Sequence, residues 1–245
     1  MERLPQILAL GGGGFSMEPD NPLLDDYALS LTGRSRPRVC FLPTASGDAD
    51  HYIVRFYRNF ATRGADVSHL SLFRRDKGPG AVEGDPHAHL LAQDLIYVGG
   101  GSVISLLGTL RAHGLDLVLE EAWSRGVVIC GLSAGSLCWF EEAVTAFHGA
   151  PQRVRGLGLL PFSNCVHYDG EPSRREEYRA FVRQGMRSGY GCDDGAALHF
   201  IGRELAHVVS SRPRAGACRV ELSAGEIVES SLGSRFLGST LELAA

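Results

Sequence analysis

The sequence predicts an α/β protein: a doubly wound, largely parallel sheet with a short antiparallel C-terminal extension. Three observations carry this. Short, nearly continuous apolar runs alternate with amphipathic stretches, the pattern of strands buried on both faces by helices. Glycine clusters at 11–14, 99–101 and 131–135 stand where three of those runs end, and open α/β sheets bind ligands beyond the carboxyl ends of their strands. Beyond about residue 188 the helical periodicity stops, and short strands punctuated by Gly and Pro take over.

In chain order, strands are expected at 6–10, 37–42, 66–72, 94–98 and 127–130, then at 163–167, 196–200, 206–210 and 216–222. Helices are expected at 22–32, 51–64, 102–113, 115–125, 135–144 and 173–187. Ser173, followed three residues later by Glu176, reads as a capping box opening the last of these. With no repeat, low-complexity tract or linker in 245 residues, one domain spanning 1–245 is expected.

Composition narrows the function classes. Hydrophobic residues make up 44% and charged residues 21%, as in ordinary globular proteins. A net charge of −4 gives no general attraction to nucleic acid or anionic membrane, and no run approaches membrane-spanning length. The six cysteines are scattered without a Cys-x-x-Cys pair, so buried reduced thiols and a cytoplasmic location are expected. The cluster Gly11–Gly14 fits neither a dinucleotide fingerprint nor a Walker motif and reads as a strand-to-loop turn.

The stretch Gly131-Leu132-Ser133-Ala134-Gly135 carries the chemistry. Gly-x-Ser-x-Gly is a weak string alone, but here a strand precedes it and a helix pattern follows, the context of a nucleophile elbow. An oxyanion beside Ser133 would meet the N–H of Ala134 and the positive end of the helix. Among nine histidines, His167 ends an apolar strand just as Ser133 does, which makes it the expected base. His148 lies in a loop and stays a second candidate, while His199 and His207 sit inside strand-like runs. For the orienting acid, Asp169 and Glu171 are adjacent in sequence but badly disposed. The pair Asp193-Asp194, between glycine turns, is better placed.

Taken together, "YVGGGS" (97–102), "GLSAGSLCWF" (131–140), "CVHYDGEPSRREEYRAFV" (165–182) and "GYGCDDGAALHF" (189–200) resemble the peptidase E (aspartyl dipeptidase) family of serine peptidases, related to cyanophycinase. The resemblance runs from Ile7 to about Ser211. It implies a fold similar to class I glutamine amidotransferase domains, where a cysteine holds the elbow. It implies Ser133 as nucleophile, His167 as base and Asp194 as acid, with an oxyanion hole from Ala134 and Gly101, Gly100 being the alternative donor. It implies a small peptide substrate, no cofactor and no metal; a homo-oligomer is compatible with the sequence.

Three positions depart from the family pattern: Asp194 stands for a glutamate, Ala146 for an aspartate and Ser102 for an asparagine. Arg174 and Arg175 could meet a substrate carboxylate, but read more simply as solvated residues at a helix start. Two other readings stay open. One is an α/β-hydrolase-type esterase using Ser133, Asp194 and His207 in that order. The other is a non-catalytic or regulatory binding protein on the same scaffold.

Overall fold

A computed structural model describes residues 4–73, 80–170 and 172–238. Its strands are β1 (Gln6–Leu10), β2 (Arg38–Leu42), β3 (Asp66–His69), β4 (Leu95–Val98), β5 (Val128–Leu132), β6 (Phe140–Thr145), β7 (Gln152–Arg155), β8 (Leu160–Val166), β9 (Gly189–Cys192), β10 (Ala196–Ile201), β11 (Glu204–Ser210), β12 (Ala217–Ser223), β13 (Glu226–Leu232) and β14 (Ser234–Phe236). The α-helices are α1 (Gly14–Met17), α2 (Leu23–Ser30), α3 (Asp50–Phe60), α4 (Pro86–Leu91), α5 (Val103–Ala112), α6 (Leu115–Ser124), α7 (Ala134–Leu137) and α8 (Pro172–Arg183).

The first sheet has the order β14-β11-β10-β1-β5-β4-β2-β3. Strands β1 to β5 are parallel, and β10 and β11 add antiparallel strands at one side. Successive residues face opposite ways, and both faces are apolar. Leu8, Leu10, Val39, Phe41 and Tyr97 pack with Phe15, Phe56 and Phe60 on the side of α2 and α3. Ile7, Ala9, Cys40, Ile96 and Ile129 pack on the side of α5 and α6. Coverage of both faces is what doubly wound means physically.

A second sheet, β13-β12-β9-β8-β6-β7, is the feature that sequence patterning did not separate. Its centre, β9-β8-β6, is parallel, and its edges are antiparallel. Phe140, Leu160, Val166 and Tyr190 from this sheet join the core on the α5/α6 side of the first one. Its other face, with Val144, Cys165 and Val220, packs with Tyr178 and Val182 of α8. Strands β10 to β13 therefore pair antiparallel as expected, but divide between the two sheets, while β9 and β14 pair in parallel with β8 and β11.

Two local expectations are corrected. The helix expected at 135–144 is the single turn α7, because Phe140–Thr145 pairs with β7 and β8 instead. Residue Ser173 is not an N-cap: α8 already starts at Pro172, the first helical position that proline favours. All six cysteines are buried. Among the described residues, no helix is long and apolar enough to cross a membrane.

Candidate active site

Both sheets deliver strand ends to one place. β5 of the first sheet ends at Leu132 and hands over to Ser133. β8 of the second ends at Val166 and hands over to His167, and β9, beside it, leads into Asp193 and Asp194. The N–H of His167 donates to Gly11 O at 3.3 Å and that of Tyr168 to Cys192 O at 3.2 Å, while the Ser133 N–H donates to Leu10 O at 3.3 Å, so the ends of β8, β9 and β5 are tied together through the end of β1.

Ser133 sits at φ 51° and ψ −110°, and His167 at φ 54°. A non-glycine residue at positive φ is strained and persists only where its surroundings enforce it. At Ser133 the enforcement is visible. A Cβ at Gly131 would fall 2.0 Å from Gly135 O, and one at Gly135 would fall 2.1 Å from Val98 O. Only glycine on both sides lets the chain turn this tightly, and the turn lifts the serine side chain out of the sheet.

The side chains form a line. His167 Nε2 is 3.0 Å from Ser133 Oγ, and His167 Nδ1 is 2.5 Å from Asp194 Oδ1. Since the carboxylate can only accept, the proton belongs on Nδ1, leaving Nε2 as the acceptor facing the serine. Burial by itself would raise the Asp194 carboxyl. The hydrogen bond and charge of His167, with Arg212 and Arg174 nearby, outweigh that and hold it below the usual carboxylate range. Asp169 Oδ1 accepts the Asp194 N–H at 2.9 Å, so the residue next but one to the histidine fixes the acid's main chain rather than its own carboxylate on the ring. Asp193 turns away, its Oδ2 accepting the Gly216 N–H at 3.0 Å. Glu171, also weighed as an acid, lies outside the described residues.

Ser133, His167 and Asp194 open on a cavity of about 370 Å³ with Met17, Gly101, Ala134, Leu137, Ala146, Phe147 and Arg174 in its wall. Gly101 and Ala134 thus bring main chain to the serine. Gly100, the alternative donor, is committed elsewhere: its N–H donates to Tyr52 Oη at 3.0 Å. With α7 only one turn long, the individual amides matter more at Ser133 than a helix dipole.

The other candidates are accounted for. His148 Nε2 lies 2.8 Å from Ser102 Oγ, and that hydroxyl also caps α5 by accepting the Ser105 N–H. His199 is held between Tyr27 Oη at 2.9 Å and Gln6 Oε1 at 3.0 Å, and burial pushes its imidazole down to about 4. His207 lines a different cavity, with Leu205, Leu232 and Arg235, so the esterase order finds no support in this geometry. Burial pushes the Cys130 thiol, inside β5, well above its ordinary range. Among the described residues, no cluster of three or more His, Cys, Asp or Glu side chains could hold a metal.

Two features escaped the sequence. The glycine run after β1 is part of the site rather than a plain turn: Gly12 O accepts the Gly195 N–H at 3.1 Å, and Gly12 lies against both Asp194 and His167. Arg174 is not solvated but 8% exposed in the cavity wall. Arg175, by contrast, leaves the site to pair with Glu229.

The sequence profile of Peptidase family S51 matches residues 7–208. The chain belongs to peptidase family S51. This S51 chain is 50% identical over 236 residues to a protein named "Uncharacterized peptidase YgaJ" from Bacillus subtilis (strain 168), with 96% of this chain and all of that one covered. It is 31% identical over 177 residues to a "Peptidase E" of Streptomyces coelicolor, covering 67% and 68% of the two chains. A crystal structure of a peptidase from an acI-B1 Actinobacterium has the same fold, with a TM-score of 0.71 at 18% identity over 95% of this S51 chain and 96% of that one. The α/β fold and the peptidase family are therefore established together.

Proposed function

We propose that the chain is a serine peptidase that hydrolyses a dipeptide or a small peptide-like amide. The observation that carries this is the unbroken line from Asp194 through His167 to Ser133, ending in a cavity. In the first step Ser133 Oγ attacks the substrate carbonyl while its proton passes to His167 Nε2. Asp194, held ionised, stabilises the imidazolium so formed. The charge developing on the carbonyl oxygen is met by the N–H groups of Gly101 and Ala134. His167 then protonates the leaving amine, and an acyl-serine remains. Water, deprotonated by the same imidazole, attacks that ester and frees Ser133.

A cavity of about 370 Å³ lies at the small end of the range for ligand sites, which favours a substrate of dipeptide size. An N-terminal aspartate is not assigned to the substrate. Ala146 lines the cavity at the position where the family pattern has an aspartate, and the charge of Arg174 already acts on Asp194. The test is turnover of a panel of Asp-X, X-Asp, β-aspartyl and apolar dipeptides by the wild type and by Ser133→Ala. Hydrolysis by the wild type alone supports the reading; equal hydrolysis by both removes it.

A further inference from the structure

The wall of the Ser133 cavity is of mixed character. Ser133, His167, Asp194 and Arg174 contribute polar groups; Met17, Leu137, Ala146 and Phe147 contribute apolar ones. Met17 is 45% exposed and Phe147 59% exposed, both large apolar side chains that the fold itself leaves uncovered. They come from distant parts of the chain, α1 and the β6–β7 connection, yet meet at one cavity.

Both are held in position. The Met17 thioether accepts the Gly13 N–H at 3.3 Å. The Phe147 N–H donates to Thr145 Oγ1 at 3.4 Å, and its ring meets the His148 ring edge-on at 5.0 Å. His148 is in turn bonded to Ser102, the residue after Gly101. The aromatic wall is thus tied to the segment that carries the oxyanion donor. Scattered exposed apolar residues need no explanation, but two large exposed apolar side chains lining the cavity that holds Ser133 call for an apolar group to cover them.

We infer that the substrate carries a bulky apolar side chain next to the scissile bond, of the leucine, methionine or phenylalanine class, seated against Met17, Leu137 and Phe147. The inference rests on Ser133 being the nucleophile. Methionine and aromatic walls suit such a group: the thioether adapts its shape, and the ring offers a flat contact face.

The experiment measures kcat/KM for two dipeptide series, X-Ala and Ala-X, with X as Leu, Phe, Ala or Asp, alongside labelling of Ser133 by a small phosphonate. In one series Leu and Phe should exceed Asp about 10- to 100-fold, the discrimination that an apolar pocket provides. Phe147→Ala should cut the Leu-to-Ala and Phe-to-Ala ratios by about tenfold. The readout is a ratio, which a general loss of folded enzyme does not move. Labelling of Ser133 with a flat or aspartate-favouring panel, or ratios unchanged in Phe147→Ala, overturns the apolar subsite and leaves the serine mechanism standing. Absence of both labelling and hydrolysis overturns the mechanism, and the subsite with it.

Discussion

Gly12 and Asp194 compete for the same space: a Cβ at position 12 would fall 1.9 Å from Asp194 Oδ1 and 3.0 Å from His167 Nδ1. The carboxylate that orients the imidazole therefore rests on bare backbone from the end of β1. The backbone of Gly12 has no left-handed φ, so an alanine there meets a clash and not a conformational penalty.

Gly12→Ala should accordingly push the Asp194 carboxylate off the ring. A misplacement of about 1 Å in a catalytic group costs about 10² in rate, so kcat should fall by at least that much while the fold survives. In an Asp194→Ala background the same change should cost little more, because its target is already gone. Additive losses in the double variant would show that Gly12 acts through something other than Asp194.

The two neighbouring aspartates should separate cleanly. Asp194→Asn removes the charge that balances the imidazolium and should lower kcat by up to about 10⁴. Asp193→Asn keeps an acceptor for the Gly216 N–H and should stay near wild type. Steady-state kinetics of the two variants decides this. Equal small losses would leave a Ser-His pair without an acid.

Much of this site can be read from sequence, for a physical reason. Ser133 and His167 follow apolar runs directly, and a strand's carboxyl end is where an α/β sheet offers reactive side chains. The second sheet was harder to read. Glu141, Glu142 and Ala143 follow α7 and prefer helix, and only pairing with β7 and β8 makes them a strand. β7 is a polar edge strand, and β9 carries Gly189 and Gly191, which pack against Ser163 and Tyr168, so neither shows an alternating apolar pattern. Nor does a glycine run announce what presses on it, which is why the role of Gly12 appears only in three dimensions.

The histidines give a second kinetic contrast. If Ser133 and His167 act as one unit, as proposed, His167→Ala should lose about as much as removal of the serine, roughly 10⁶ in kcat. His207→Ala, altering a residue of the other cavity, should be nearly neutral. A reversed order of sensitivity would restore the esterase-type arrangement.

Stability should carry a pH signature from Asp25, which is fully buried beside the aromatic core under α2 and α3. Burial, only partly offset by Arg63 and the main chain of Phe15, raises its carboxyl from 3.8 to about 7; Glu18 and Asp26 push the same way. The fold thus favours the neutral acid. This contribution is fully present below about pH 4 and is lost as pH rises through 7, up to roughly 4 kcal/mol in all. Asp25→Asn, neutral at every pH, should flatten the fall in Tm between pH 5 and 8. Parallel Tm profiles for the two proteins would contradict this.

In the proposed mechanism Ser133 is the nucleophile and His167 Nε2, 3.0 Å from its Oγ, activates it. Treatment with a serine-reactive phosphonate, followed by mass spectrometry of the proteolysed protein, tests it most directly. One adduct is expected, on Ser133, formed at a rate that falls by orders of magnitude in His167→Ala. An unlabelled Ser133 in folded wild-type protein, or labelling that proceeds equally fast without His167, would contradict it.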